Sequence, residues 1–82
     1  MTLEQLKIAV RDLGVSDDLV RIGAVEPSAS DVRCVSLMRL KSGRHEWWTY
    51  YLERGGHFDI EAHPSEAKAC AFFLEWVRDL VP

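Results

Sequence analysis

From Thr2, the segment TLEQLKIAVRDLG repeats its apolar positions with a helical period: Leu3, Leu6, Ala9, Val10 and Leu13 form one stripe. Thr2 and Gln5 have capping-box spacing, and Gly14 is suited to leave a helix through the left-handed region. The period then changes. VSDD reads as a connector, LVRIGAV as a short strand, and EPSAS as the segment expected to be most mobile. DVRCVSLMRL and HEWWTYYLER alternate as two long strands around KSGR. After the turn GGH, FDIEA forms a fourth strand with Phe58, Ile60 and Ala62 inward. HPSEAKACAFFLEWVRDLVP returns to the helical period, with Ser65 as cap and Cys70, Phe73, Leu74, Val77, Leu80 and Val81 as its buried arc. Phe72 and Trp76 fall at the edge of that arc.

Four aromatic rings within residues 47–51 sharpen the question of faces, because neighbouring strand residues point to opposite sides. A loop of two or four residues in KSGR places Leu40 opposite His45; a three-residue loop reverses the parity. In the first register Val32, Cys34, Ser36 and Met38 share a face with Trp47, Thr49 and Tyr51. Arg33, Val35, Leu37 and Arg39 then share the other with Arg44, Glu46, Trp48, Tyr50 and Leu52. The second face is much richer in charge, so the first is expected to pack on the helices. The expected fold is α+β and two-layered, with N- and C-terminal helices packed on one face of a four-stranded antiparallel sheet, in one domain over residues 1–82. No chain then remains to cover the second face. Trp48, Tyr50 and Leu52 are expected there as an apolar patch ringed by charge, the usual mark of an interaction surface.

Composition narrows the function. With 82 residues, 48% of them hydrophobic and 28% charged, the chain is globular but has little length to spare for a deep pocket. The net charge of −3 weighs against a dedicated nucleic-acid binder and in favour of a basic partner. Cys34 and Cys70 read as reduced, buried thiols. With no leader and no membrane-length apolar run, the expected location is cytoplasmic. Catalytic signatures are missing: no serine sits on a glycine-flanked elbow, neither cysteine has an evident base, and a strand rather than a helix follows Gly55-Gly56. His57, Asp59, Glu61 and His63 alternate along one strand, where side chains two apart stand roughly 6–7 Å apart, too far for more than neighbouring pairs to share an ion. They read as a solvated edge, so no enzyme activity, cofactor or metal is expected.

Two binding classes remain. Arg33, Arg39, Lys41 and Arg44 share the expected open face with Trp48 and Tyr50, an arrangement that suits single-stranded nucleic acid. Glu46 and the net charge oppose it. Trp, Tyr and Arg are also the residue types enriched at protein–protein hot spots. In that reading Trp48, Tyr50 and Leu52 are apolar anchors, Arg33, Arg39, Arg44 and Glu46 set orientation, and Trp76 with Phe72 adds contacts from the final helix. A homodimeric regulatory or interaction protein would use the same patch.

With these residues in place, WWTYYLERG followed by a strand and SEAKACAFFL resembles small bacterial immunity proteins of polymorphic and contact-dependent growth inhibition toxin systems. The resemblance rests on Trp47, Tyr50, Tyr51, Glu53, Arg54, Gly55, Ser65, Glu66, Ala69 and Cys70, with Gly23-Ala24 upstream, and covers residues 20–77. It implies a non-catalytic antitoxin, monomeric or weakly dimeric, that binds and neutralises one cognate toxin domain. Trp48 stands at a position that varies in the pattern, and HPSEAK replaces a more acidic helix start. Glu53 and Arg54 are expected to be structural, closing the strand end.

Overall fold

A computed structural model describes all residues, Met1–Pro82. The helices α1 (Leu3–Leu13) and α2 (Glu66–Trp76) flank four strands: β1 (Val20–Ile22), β2 (Val32–Arg39), β3 (His45–Glu53) and β4 (Gly56–His63). Short 3-10 turns occupy Asp17–Leu19 and Val77–Leu80. Both helices start where their caps are written. The Gln5 N–H donates to Thr2 Oγ1 at 3.3 Å and the Thr2 N–H to Gln5 Oε1 at 2.8 Å, a reciprocal capping box. Ser65 Oγ accepts from the Lys68 N–H at 3.1 Å. Glu66 then joins the two helices, because its Oε2 accepts from the Leu3 N–H at 3.0 Å.

The sheet runs β1-β2-β3-β4 and is mixed, which corrects the all-antiparallel expectation: β1 lies parallel to β2. A parallel neighbour needs a crossover, and residues 23–31 supply it without a helix, since β1 is only three residues long. The departure point is Gly23. Its φ of +88° favours glycine, and an added Cβ would stand 3.2 Å from Leu3 Cδ1, close enough that the leucine would have to shift.

The β2–β3 register also differs from the expectation. Arg39 pairs with His45 and Ser36 with Trp48. Leu40 pairs with Arg44 through its N–H at 2.7 Å, leaving a three-residue loop, 41–43, in which Gly43 is left-handed at φ +88°. All even-numbered residues of β2 and β3 therefore share one face. In β4 the pairing slips between Thr49 and Tyr51, and Asp59 adopts φ +55° at that bulge. Phe58 is carried to the face of Tyr51, while Ile60 alternates with Glu61 onto the other. The expected inward set fails accordingly: Phe58 is 52% and Ile60 47% exposed, and Ala62 is exposed as well.

Two cores result. Leu6, Val10, Ala69, Cys70, Phe73 and Val77 cluster with Val20 and Val35, and Trp47 packs against them. On the even-numbered face Ala29 joins Val32, Cys34, Tyr50 and Leu52, with Val25, Met38 and Trp48 alongside. The crossover that the sequence marks as mobile is thus the cover of a second core.

Candidate functional site

The even-numbered face is the outer face of the sheet, and its order follows from the strands that build it. Trp48, Tyr50 and Leu52 alternate along β3, and His57 stands opposite Leu52 on β4. A two-residue turn places His57 there: Arg54 at φ +49° and Gly55 at φ +79° connect Glu53 to its partner Gly56. Three rings meet as a result. The Tyr50 and His57 centroids lie 4.8 Å apart, and Trp48 stands edge-on to both, at 6.4 Å from Tyr50 and 6.5 Å from His57.

The polar groups of this face are mutually satisfied. The Tyr50 and Ser36 hydroxyls lie 3.1 Å apart, and Ser36 Oγ is 3.1 Å from Met38 Sδ. The Trp48 indole N–H donates to Glu46 Oε1 at 3.0 Å, which fixes the ring on the strand surface. Burial raises the Tyr50 phenol above its usual range and pushes the Cys34 thiol up to about 11. Cys34 is therefore a neutral packing residue at physiological pH, and Cys70, enclosed in the helical core, is raised by burial too.

Beside the rings a cleft of about 390 Å³ opens between the crossover and the sheet, lined in part by Val25, Pro27, Ala29, Met38, Tyr50 and His57. The crossover wall is fastened at both ends. Arg21 on β1 pairs with Glu26, which raises the guanidinium and lowers the carboxyl from their ordinary values. At the far end the Arg54 N–H donates to Ser30 Oγ at 3.0 Å, the Asp31 N–H to the Leu52 carbonyl at 2.7 Å, and the Tyr51 hydroxyl to Asp31 Oδ1 at 3.3 Å. Arg54 acts here through its left-handed backbone and not through an ion pair.

The expected binding residues separate into groups. Trp48 is half-buried on the outer face and Glu46 is beside it, as the alternation of β3 requires. Tyr50 and Leu52 lie on the same face but are only 2% and 7% exposed, because the crossover covers them. Arg33 and Arg39 are not on that face; the changed register puts them, with Val35, on the side of Trp47 and Tyr51. Arg33 is engaged there, donating to the Trp76 carbonyl at 2.7 Å and to both Asp79 oxygens, with its guanidinium 5.0 Å from the Trp76 ring centre. Trp76 is thus a structural neighbour of Arg33. Arg39, Lys41 and Arg44 lie instead near the tip of the β2–β3 hairpin, and none of the three has a carboxylate within 4.0 Å. The bulge also divides the alternating acids and histidines. His57 faces outward with Tyr50, whereas His63 Nε2 lies 2.9 Å from Thr49 Oγ1 on the other side.

Sequence reasoning missed His57 and Met38 on the outer face. The signal for His57 was present in Arg54-Gly55, whose two-residue turn sets the β4 register. No family model matches the chain, and no curated protein or solved structure is significantly similar to it.

Proposed function

We propose that the chain is a non-catalytic bacterial immunity protein, a cytoplasmic antitoxin that binds and neutralises one cognate toxin domain through its outer sheet face. In this reading both helices lie on the opposite face, and the protein acts as a monomer or weak homodimer. Trp48 is the anchor, the Tyr50–His57 pair and Met38 form the adjoining wall, and Glu46 and Arg44 orient the partner. Tyr50 and Leu52 support the anchor from beneath, and Arg33 and Trp76 belong to the scaffold.

One observation carries the reading. The residues that give the chain its resemblance to immunity proteins are occupied internally: Tyr50, Ala69 and Cys70 are buried, Tyr51 bonds Asp31, Arg54 makes a turn, and Ser65 and Glu66 cap helices. Trp48, at the variable position, is left half-open beside a cleft. A shared scaffold with a private contact residue is what a protein matched to one partner requires. That no helix is long and apolar enough to cross a membrane agrees with this reading.

The test is binding to the toxin domain encoded beside the chain, measured by calorimetry. Trp48→Ala is expected to cost about 2 kcal/mol or more of binding free energy, roughly thirtyfold in affinity, while the fold is retained. Unchanged affinity would overturn the anchor assignment. A nucleic-acid reading draws on the free cations at the hairpin tip. It predicts a salt-sensitive shift on single-stranded RNA that weakens in Arg44→Ala.

A further inference from the structure

The crossover binds the sheet at its two ends and hardly at all between them. The Gly23 N–H donates to the Val35 carbonyl at 2.8 Å and the Asp31 N–H to the Leu52 carbonyl at 2.7 Å. Residues 24–30, between these points, have no backbone bond to any strand; the Ala29 N–H donates at 3.0 Å to the Glu26 carbonyl of the same segment. Both end residues are left-handed, Gly23 at φ +88° and Asp31 at φ +59°. Within the segment only Ala29 is buried, and Val25 is half-buried, so little apolar surface holds it down.

One ion pair lies across this span. Arg21 is fixed to the scaffold, because its guanidinium also donates to the carbonyls of Asp17 at 3.0 Å and Val20 at 2.8 Å. Its carboxylate partner, Glu26, belongs to the crossover. The Ser30 bond to the Arg54 N–H sits next to the Asp31 end, where a hinging segment moves least. We propose that residues 24–30 form a strap that opens as a unit between Gly23 and Asp31, with Arg21–Glu26 as its catch. Opening exposes Cys34, Tyr50 and Leu52 while the core around Phe73 stays closed. The inference concerns the protein alone and holds whatever its partner is.

Two thiols report the two cores separately, since Cys34 and Cys70 are each 0% exposed and lie in different clusters. The experiment treats the whole chain with excess iodoacetamide and follows the initial alkylation rate at each cysteine by mass spectrometry. Cys34 is expected to react about tenfold faster than Cys70 or more. Its rate stays nearly flat in low urea, whereas that of Cys70 climbs in step with unfolding. Glu26→Gln is expected to speed Cys34 about three- to fivefold and to leave Cys70 unchanged. Three results would overturn the proposal: one rate with one urea dependence for both thiols, a Cys34 rate unmoved by Glu26→Gln, or equal acceleration of Cys70 in that variant.

Discussion

In one core Leu6, Val10, Phe73 and Val77, from two helices and a terminal turn, cluster with Val35; in the other Val25 and Ala29, from an irregular crossover, pack with Cys34 and Tyr50. The first cover is made of regular elements whose backbone bonds are internal. The second is held at its ends, by Arg21–Glu26 and by the bonds of Ser30 and Asp31, and leaves a cleft at its margin. One sheet thus carries a sealed side and a latched side with a cleft at its margin.

Substitution of a buried residue on each side tests that contrast most directly. Phe73 is fully enclosed between helix and sheet, and Phe73→Ala is expected to cost about 3–5 kcal/mol in urea unfolding. Leu52→Ala, under the crossover, is expected to cost about 2–3 kcal/mol, because an irregular segment can settle into the space. Equal losses would show that the two covers are equally rigid and would end the comparison.

Within the outer core, Tyr50 sharpens the point. Tyr50→Phe keeps the ring against His57 and removes only the hydroxyl that meets Ser36. It is expected to cost about 1 kcal/mol, read from the shift in the urea midpoint at unchanged slope. A change in slope would mean that the hydroxyl holds the crossover down rather than supporting one local pair.

The elements that proved legible are those whose signals are local. Thr2, Gln5, Gly14 and Ser65 mark helix ends by chemistry confined to one turn, and all four act as expected. The alternation of β3 separates Trp47 from Trp48, and the two rings pack against different cores. What the pattern did not disclose were three counting problems. KSGR is compatible with loops of two, three or four residues, and only the middle choice puts Cys34 beside Tyr50. The bulge rests on Asp59, and an aspartate tolerates the left-handed region without announcing it as glycine would. The crossover has no helical period, so the parallel pairing of β1 and the cover over Tyr50 were hidden in a segment that reads as plain loop. Each miss changed a residue's face: Arg33 left the candidate site, and His57 joined it.

The smallest effect concerns the latches, one on each side. Arg33 holds Asp79 of the terminal turn and Arg21 holds Glu26 of the crossover; in both pairs hydrogen bonding to the guanidinium lowers the carboxyl below its ordinary value. A carboxyl depressed in the folded state stabilises it above the unfolded value, near 3.9 for Asp and 4.3 for Glu, and loses that contribution as pH falls through the folded value. Acid taken below the ordinary carboxyl range, through the lowered folded values, is therefore expected to release both latches, with the Trp76 indole resonance reporting one and the Ala29 amide the other. Glu26→Gln should speed Ala29 exchange at neutral pH and leave Trp76 unmoved, whereas Asp79→Asn should do the reverse. If Glu26→Gln also loosened the helical core, the two faces would be one cooperative unit, and the outer cover could not adjust to a partner without weakening the fold beneath it.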